Sequence, residues 1–197
     1  MTQDDAAIER LVREAQAGDA WAFGRLFDLY HLPVYRFVAS RVLRPSDAED
    51  LTQLVFVKAL EALPRYENRG IPFGGWLFRL ARNTVIDFVR TSHEHADLAQ
   101  SAERAGTEAG PDELAETRQE IDAIGAALSA LTDDQRDAIT LRFFAGLSAR
   151  EAAEVMGKQE GTVRGLQFRA IAALRRQLGI DDPEAPAVPP LERPGMG

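Results

Sequence analysis

Apolar positions recur at intervals of three and four along nearly the whole chain, the period of a helix with one buried face, and no sustained alternation marks a strand. In "WAFGRLFDLYHLPVYRFVASRVL" the series is Phe23, Leu26, Phe27, Tyr30, Val34, Phe37 and Val38; in "AEDLTQLVFVKALEAL" it is Leu51, Leu54, Val55 and Leu60. Pro45, followed by Ser46 and Glu49, predicts a capping-box start for the second of these helices, and Pro64 predicts its end. "RYENRGIPFGG" has the glycine and proline density of an ordered loop, after which "WLFRLARNTVIDFVR" resumes the helical period. The period fails between about Thr91 and Pro111, where small, polar and acidic residues predict a flexible linker. It returns from Glu113 to about Leu178, and the proline-rich end "DDPEAPAVPPLERPGMG" is expected to be disordered. The fold expected is all-α: two small helical domains, residues 1–92 and 113–180, joined by an acidic linker over 93–112 and followed by a tail over 181–197.

Charge sharpens this division. The chain of 197 residues carries a net charge of −8, yet residues 158 to 180 hold five basic residues against one acid, and residues 31 to 92 hold nine against six. Residues 93 to 120 hold two basic residues against eight acids. Two locally basic blocks in an acidic chain point to a polyanionic partner met by particular faces rather than by the whole molecule. With no cysteine, neither a disulfide framework nor a thiolate zinc site is available. No apolar run approaches the roughly 18 residues that span a bilayer, and "MTQDDAAIER" is acidic where a signal peptide is basic, so a cytoplasmic protein without membrane insertion is expected. Asp47, Glu49 and Asp50 sit where a helix N-terminus favours carboxylates without any ion. His93 and His95 lie in the linker with no further ligand at a fixed spacing. No Ser/His/Asp set or phosphate-cradling glycine loop occurs, so neither catalysis, a metal nor a cofactor is expected.

Ser148 with Glu151 forms an S-x-x-E capping box at the start of "SAREAAEVMG", a short helix that Gly157 closes. A tight turn then leads into a longer helix beginning near Glu160, which is the helix-turn-helix arrangement whose second helix enters a major groove. At 100° per residue, Val163, Leu166, Ala170, Leu174 and Leu178 fall on one face of that helix, and Arg164, Gly165, Phe168, Arg169, Arg175 and Arg176 on the other. Arginines there can bond phosphates or guanine edges, and Phe168 can meet a thymine methyl. A merely solvated basic face, with Phe168 covering a neighbouring helix, is the alternative. In "WLFRLARNTVIDFVR" the same construction turns Leu77, Ala81, Thr84 and Phe88 inward, and Arg79, Arg82, Asn83, Ile86 and Arg90 outward, again either a nucleic-acid face or a solvated one. The preceding loop offers Tyr66, Asn68, Arg69 and Phe73, residue types able to hold an unstacked base.

Taken in order, "DAEDLTQLVFVKAL", "FGGWLFRLARNTVIDFVR", an acidic linker, "LTDDQRDAITLRFFAGLSAREAAEVMG" and "EGTVRGLQFRAIAALRR" resemble a bacterial sigma factor of the sigma-70 family, in its extracytoplasmic-function (ECF) group, over about residues 8 to 178. The resemblance implies a promoter-specificity subunit that acts with core RNA polymerase on promoter DNA. It places Asp50 and Gln53 at the core enzyme's clamp, with Phe56 on the supporting apolar face, and Leu54 where an acidic residue is usual. It assigns the loop from Tyr66 to Phe73 to capture of a flipped −10 base, with Asn68 as the best match, and Arg79, Arg82 and Asn83 to −10 DNA. It assigns Glu160, Gly161, Thr162, Arg164, Gly165, Phe168 and Arg169 to the −35 element, although "GLQF" replaces the commoner serine-arginine-leucine-histidine run. The linker is implied to follow the RNA exit path of the core, and an anti-sigma factor is an implied partner of a chain that is monomeric when free. The acidic balance is consistent with such a subunit, since phosphate attraction dominates nonspecific binding and a −8 chain binds free DNA poorly. A free-standing helix-turn-helix regulator, binding a duplex half-site as a dimer, is the main rival, and a purely protein-binding adaptor is the second.

Overall fold

The computed structural model describes residues 3–42, 44–68, 70–98, 127–128 and 130–178, and among these residues there are seven α-helices and no strand. Helices α1 (Gln3–Gln16), α2 (Ala20–Ala39), α3 (Pro45–Ala62) and α4 (Phe73–Leu98) make the N-terminal bundle, with a 3-10 turn at Leu63–Arg65. Helices α5 (Asp133–Phe143), α6 (Ala149–Met156) and α7 (Glu160–Gln177) make the C-terminal one.

The N-terminal core is built from the inward stripes of three helices: Leu26, Val34, Phe37 and Val38 of α2, Leu51, Val55, Phe56 and Ala59 of α3, and Leu77, Phe78, Ala81 and Val85 of α4. Phe37 and Phe78 meet edge-on, with ring centroids 5.6 Å apart, the arrangement the aromatic quadrupole favours. Asp19 caps α2 by accepting from the backbone N–H of Trp21 at 2.8 Å and of Ala22 at 3.3 Å.

The start of α3 differs from the expected capping box. Arg44 is the N-cap, makes no side-chain cap bond, and Pro45 takes the first helical position. Pro45 carries the φ of a helix and lacks the N–H that a cap would satisfy, which moves Ser46 inside the helix and out of the capping position. The apolar positions of α3 also divide between two faces. Leu54 and Leu60, expected inside, are exposed together with Val57. At the other end, α3 gives way to the 3-10 turn that holds Pro64.

Helix α4 begins at Phe73, earlier than the sequence predicts, and continues through Leu98, so residues 93–98 of the expected linker are helical. His93 and His95 fall in these last turns, and their side chains lie outside the described residues, as do linker residues 99–112 and the tail.

In the C-terminal bundle both ends of α6 follow the sequence pattern. Ser148 and Glu151 form the reciprocal capping box, and Gly157 adopts the left-handed conformation at φ 63° and ψ 36°. The Lys158 N–H bonds back to the Ala153 carbonyl at 2.9 Å, closing the turn between the two helices. A second capping box, Thr132 with Gln135, opens α5. A β-carbon at Gly157 would meet nothing within 4 Å, so Gly157→Ala isolates the backbone term. It is expected to lower stability by about 1–2 kcal/mol, read by urea unfolding, through left-handed strain alone.

The two bundles are in contact. Helix α4 packs on α6, and one apolar cluster runs from Leu26, Phe37 and Phe78 to Leu141, Leu147, Ala152 and Val155.

Candidate nucleic-acid interface

The surface of α7 follows the facing predicted from its period. Val163, Leu166 and Ala170 are buried, and Leu174 packs on Leu128, Leu131 and Ile139. Leu178, expected to face inward, is exposed just past the helix end. On the outer face Phe168 is 77% exposed, which removes the reading in which it covers a neighbouring helix. Gly161, Thr162 and Arg169 are exposed beside it. Arg164 is exposed and holds Glu160 through both Nε at 3.0 Å and Nη2 at 2.6 Å. Exposed pairs of this kind contribute on the order of 0–1 kcal/mol, so the guanidinium exchanges partners readily. The unusual "GLQF" run resolves into two orientations. Leu166 is buried and Gln167 accepts from Arg142 Nε at 3.2 Å, which leaves Gly165 and Phe168 as the members of the run that look away from the bundle.

The loop before α4 is organised from beneath by aromatic rings. Tyr66, Phe73 and Trp76 pack mutually with centroids 4.8–5.8 Å apart, and Tyr30 meets Phe73 at 5.5 Å. Gly74 leaves room for this packing, since a β-carbon there would lie 3.2 Å from the Tyr30 ring. The Tyr66 hydroxyl donates to the Ile71 carbonyl at 3.2 Å. Burial, with the Glu9 charge adding, pushes that phenol up to about 12, so it stays protonated at neutral pH and keeps donating. Phe73 is buried and Tyr66 is half-buried, so neither presents the free ring face that the sequence suggested. Asn68 is exposed. Its Oδ1 accepts from the Gly70 N–H at 3.2 Å and its Nδ2 donates to Glu9 at 3.1 Å. Arg69 lies outside the described residues.

Helix α1, whose residues carry no sign of such a role, holds this loop. Gln16 Nε2 donates to the carbonyls of Leu63 at 3.0 Å and Tyr66 at 2.8 Å, clamping the chain where it leaves the 3-10 turn.

Along α4 the inward residues are as predicted: Leu77, Ala81 and Thr84 are buried and Phe88 is half-buried. Phe78 and Val85 widen that face. Asn83, Ile86 and Arg90 are exposed. Arg79 and Arg82, expected to point outward into solvent, instead meet the C-terminal bundle. Arg82 Nε donates to Asp137 at 2.7 Å, and Arg79 Nη2 donates to the Glu154 carbonyl at 2.9 Å.

Two basic helix faces, a helix-turn-helix and a held loop are features of a promoter reader, and comparison with known proteins decides which kind. The family model for sigma-70 region 2 matches residues 26–95, and that for sigma-70 region 4 matches residues 127–176. The ECF RNA polymerase sigma factor BldN of Streptomyces coelicolor is 38% identical over 180 residues, covering 90% of this chain and 68% of the relative. The ECF RNA polymerase sigma factor SigD of Mycobacterium tuberculosis is 32% identical over 184 residues, covering 90% and 87%. The chain belongs to the ECF sigma factors of the sigma-70 family. Among solved structures, CnrH in complex with the cytosolic domain of CnrY matches with TM-score 0.68 and 28% identity over 87% of this chain and 97% of that one. RpoE of Bartonella quintana, in complex with the anti-sigma factor NepR, matches with TM-score 0.65 and 26% identity over 81% and 98%.

As a member of this family the sigma factor directs promoter-specific initiation of transcription by RNA polymerase, a specificity subunit rather than an enzyme in its own right. No helix among its described residues is long and apolar enough to cross a membrane. On α3, Asp50 and Gln53 are exposed on one face with Leu54, Val57 and Leu60, whereas Phe56 is buried against the Phe27 ring at 4.7 Å. Phe56 therefore backs that face and does not form part of its surface. Val57 was missed from sequence because the apolar run of α3 reads as one stripe, although positions 50, 53, 54 and 57 share a second face at the same period.

Proposed function

We propose that this sigma factor docks on core RNA polymerase through the outer face of α3, with Asp50 and Gln53 as polar contacts, Phe56 as internal support and Leu54 substituting apolar contact for an acidic one. Asn68 captures the flipped base of the −10 element, and Arg79, Arg82 and Asn83 follow the −10 DNA. The −35 element is read by Glu160, Gly161, Thr162, Arg164, Gly165, Phe168 and Arg169. The observation that carries this assignment is the outer face of α7, where a 77% exposed phenylalanine stands between arginines on a helix otherwise well packed into its bundle. An exposed aromatic ring costs solubility without adding stability, and a thymine methyl is the partner its chemistry fits. The N-terminal domain extends to the end of α4 and the C-terminal one from about residue 113, with residues 99–112 as tether and 181–197 as a tail outside both. The chain works in the cytoplasm as a monomer until it meets the core enzyme and has no catalysis of its own. An anti-sigma factor is its natural antagonist, a reading supported by RpoE of Bartonella quintana, which is bound by the anti-sigma factor NepR.

The test is run-off transcription with bacterial core polymerase on a randomised promoter library. Selected transcripts sharing a spaced pair of motifs support the proposal; duplex binding as a dimer without polymerase sinks it. On a selected promoter, Arg164→Ala should lower −35-dependent initiation about tenfold, the loss expected for one base or phosphate contact of about 1–3 kcal/mol. Equal loss on a promoter with a scrambled −35 element would show that the arginine contributes only general attraction.

A further inference from the structure

The arginines assigned to −10 DNA are already occupied in this structure, and by groups that offer what DNA offers. Asp137 of α5 is 5% exposed at its side chain. One of its oxygens accepts from Arg82 Nε at 2.7 Å and the other from Arg41 Nη2, with the Arg82 and Arg41 side chains 21% and 9% exposed. Arg41 leaves the end of α2 and lies over the Phe37 ring, its guanidinium 4.3 Å from the centroid, and also bonds Ser40 at 2.9 Å. Arg79, one turn before Arg82, donates to the carbonyl of Glu154 in the last turn of α6, where the helix dipole is negative. Two guanidinium groups forked on one two-oxygen anion, with a third on a carbonyl beside it, is the pattern by which arginines take a phosphodiester.

We propose that Asp137 is an internal stand-in for a promoter phosphate, which keeps the free sigma factor closed by holding the −10 face of α4 against the C-terminal bundle. The inference rests on the assignment of Arg79 and Arg82 to −10 DNA. The closed state and promoter binding are then mutually exclusive, because the C-terminal bundle stands against the same side of Arg79 and Arg82 that a DNA strand would have to reach. Apolar packing of α4 on α6 favours closure, while Arg41, beside Asp137, feels the charges of Arg82, Arg136 and Asp133. Burial, followed by the charges of Arg136 and Arg82, lowers the Arg41 guanidinium to about 9, which still leaves it protonated at neutral pH. An excess of positive charge over the carboxylate is what a DNA strand, delivered by the core enzyme, would exploit. The arrangement also refines the account of the acidic chain: screening of free DNA comes from one placed carboxylate as well as from net charge.

The full chain has no cysteine, so Asp28→Cys and Gln177→Cys on the two bundles give a unique pair of spin labels. In the free protein a single narrow distance population is expected, and Asp137→Asn should broaden it. Binding is read by fluorescence anisotropy with a single strand carrying the −10 element of a promoter selected with the holoenzyme, against a scrambled strand of equal length. Without polymerase, Asp137→Asn should bind the −10 strand about tenfold more tightly than wild type, since a competent state populated at about a tenth weakens apparent affinity by that factor. Holoenzyme transcription should be unchanged. Arg41→Met attacks the same clasp from the N-terminal side and decides the matter if Asp137→Asn loses helical circular dichroism. Wild-type distances and wild-type affinity in the folded variants would overturn the proposal. Opening without tighter binding would overturn it too, and Arg82→Ala in the holoenzyme then locates the fault. Unimpaired transcription would mean that the arginine does not meet −10 DNA; impaired transcription would mean that it does, but that closure does not withhold it.

Discussion

Phe78→Ala should cost the N-terminal bundle about 3–5 kcal/mol of stability, whereas Phe168→Ala should leave stability untouched and change only promoter preference. Phe78 is fully buried between α2 and α4, edge-on to Phe37. Truncating such a ring removes its transfer free energy and leaves a cavity that the surrounding helices fill only in part, a cost of about 3–5 kcal/mol. Set against a total of about 5–15 kcal/mol for a domain, that loss consumes most of the margin in a bundle this small. Phe168 is exposed on α7 and has no such packing to lose. Urea unfolding followed by circular dichroism compares the two directly, with the midpoint of Phe78→Ala far below wild type and that of Phe168→Ala close to it. A run-off assay on selected promoters then shows whether Phe168→Ala relaxes preference for thymine at one −35 position. A large stability loss on removing Phe168 would mean that its ring packs on the bundle after all.

Of these two phenylalanines only Phe168 was legible in the sequence, because α7 carries a single buried stripe that the 100° construction sorts well, whereas Phe78 lies beside the expected inward row of Leu77, Ala81, Thr84 and Phe88 and broadens it. Val163, Leu166 and Ala170 fell inward and Phe168 outward as a matter of period alone. Local caps were legible where side chain and backbone act within four residues, as at Ser148 and Gly157. The capping box expected at Ser46 does not form because Pro45 already occupies the first helical position, and that of Thr132 and Gln135 lies in "TDDQ", an equally local signal. What stayed hidden depends on chain separation or on surroundings. Gln16 reaches carbonyls 47 and 50 residues away, and neither partner is marked by its residue type. Helix α5 buries Asp137, Ala138, Ile139, Thr140 and Leu141 in succession, so it is covered on all sides and shows no stripe. The Asp137 carboxylate reads as surface in sequence and becomes interior only when α4 and α2 bring arginines to it. For the same reason the period sets Arg79 and Arg82 on the face of α4 away from Leu77 and Ala81 but carries no sign that the C-terminal bundle covers that face.

Asn68→Ala is expected to slow open-complex formation about tenfold to hundredfold while leaving the affinity for core polymerase unchanged. A carboxamide offers a donor and an acceptor to a base edge. Losing those bonds, with the base's own polar groups left unpaired, costs about 1–3 kcal/mol, and 1.4 kcal/mol is one factor of ten. The base itself must first be unstacked, at a few kcal/mol, so capture has to offset a real barrier and its loss appears in melting rather than in recruitment. Asn68 also ties the loop to α1 through Glu9, which offers a second way for the substitution to act. Glu9→Ala separates the two. It releases the tie but leaves the carboxamide in place, and Gln16 still clamps the chain at Leu63 and Tyr66. If base capture is the role of Asn68, potassium permanganate footprints of the melted region should be weak for Asn68→Ala and near wild type for Glu9→Ala on the same promoter. Equal weakening in both would assign the effect to loop placement, and a promoter template melted in advance would then fail to rescue only the variant that has lost a base contact.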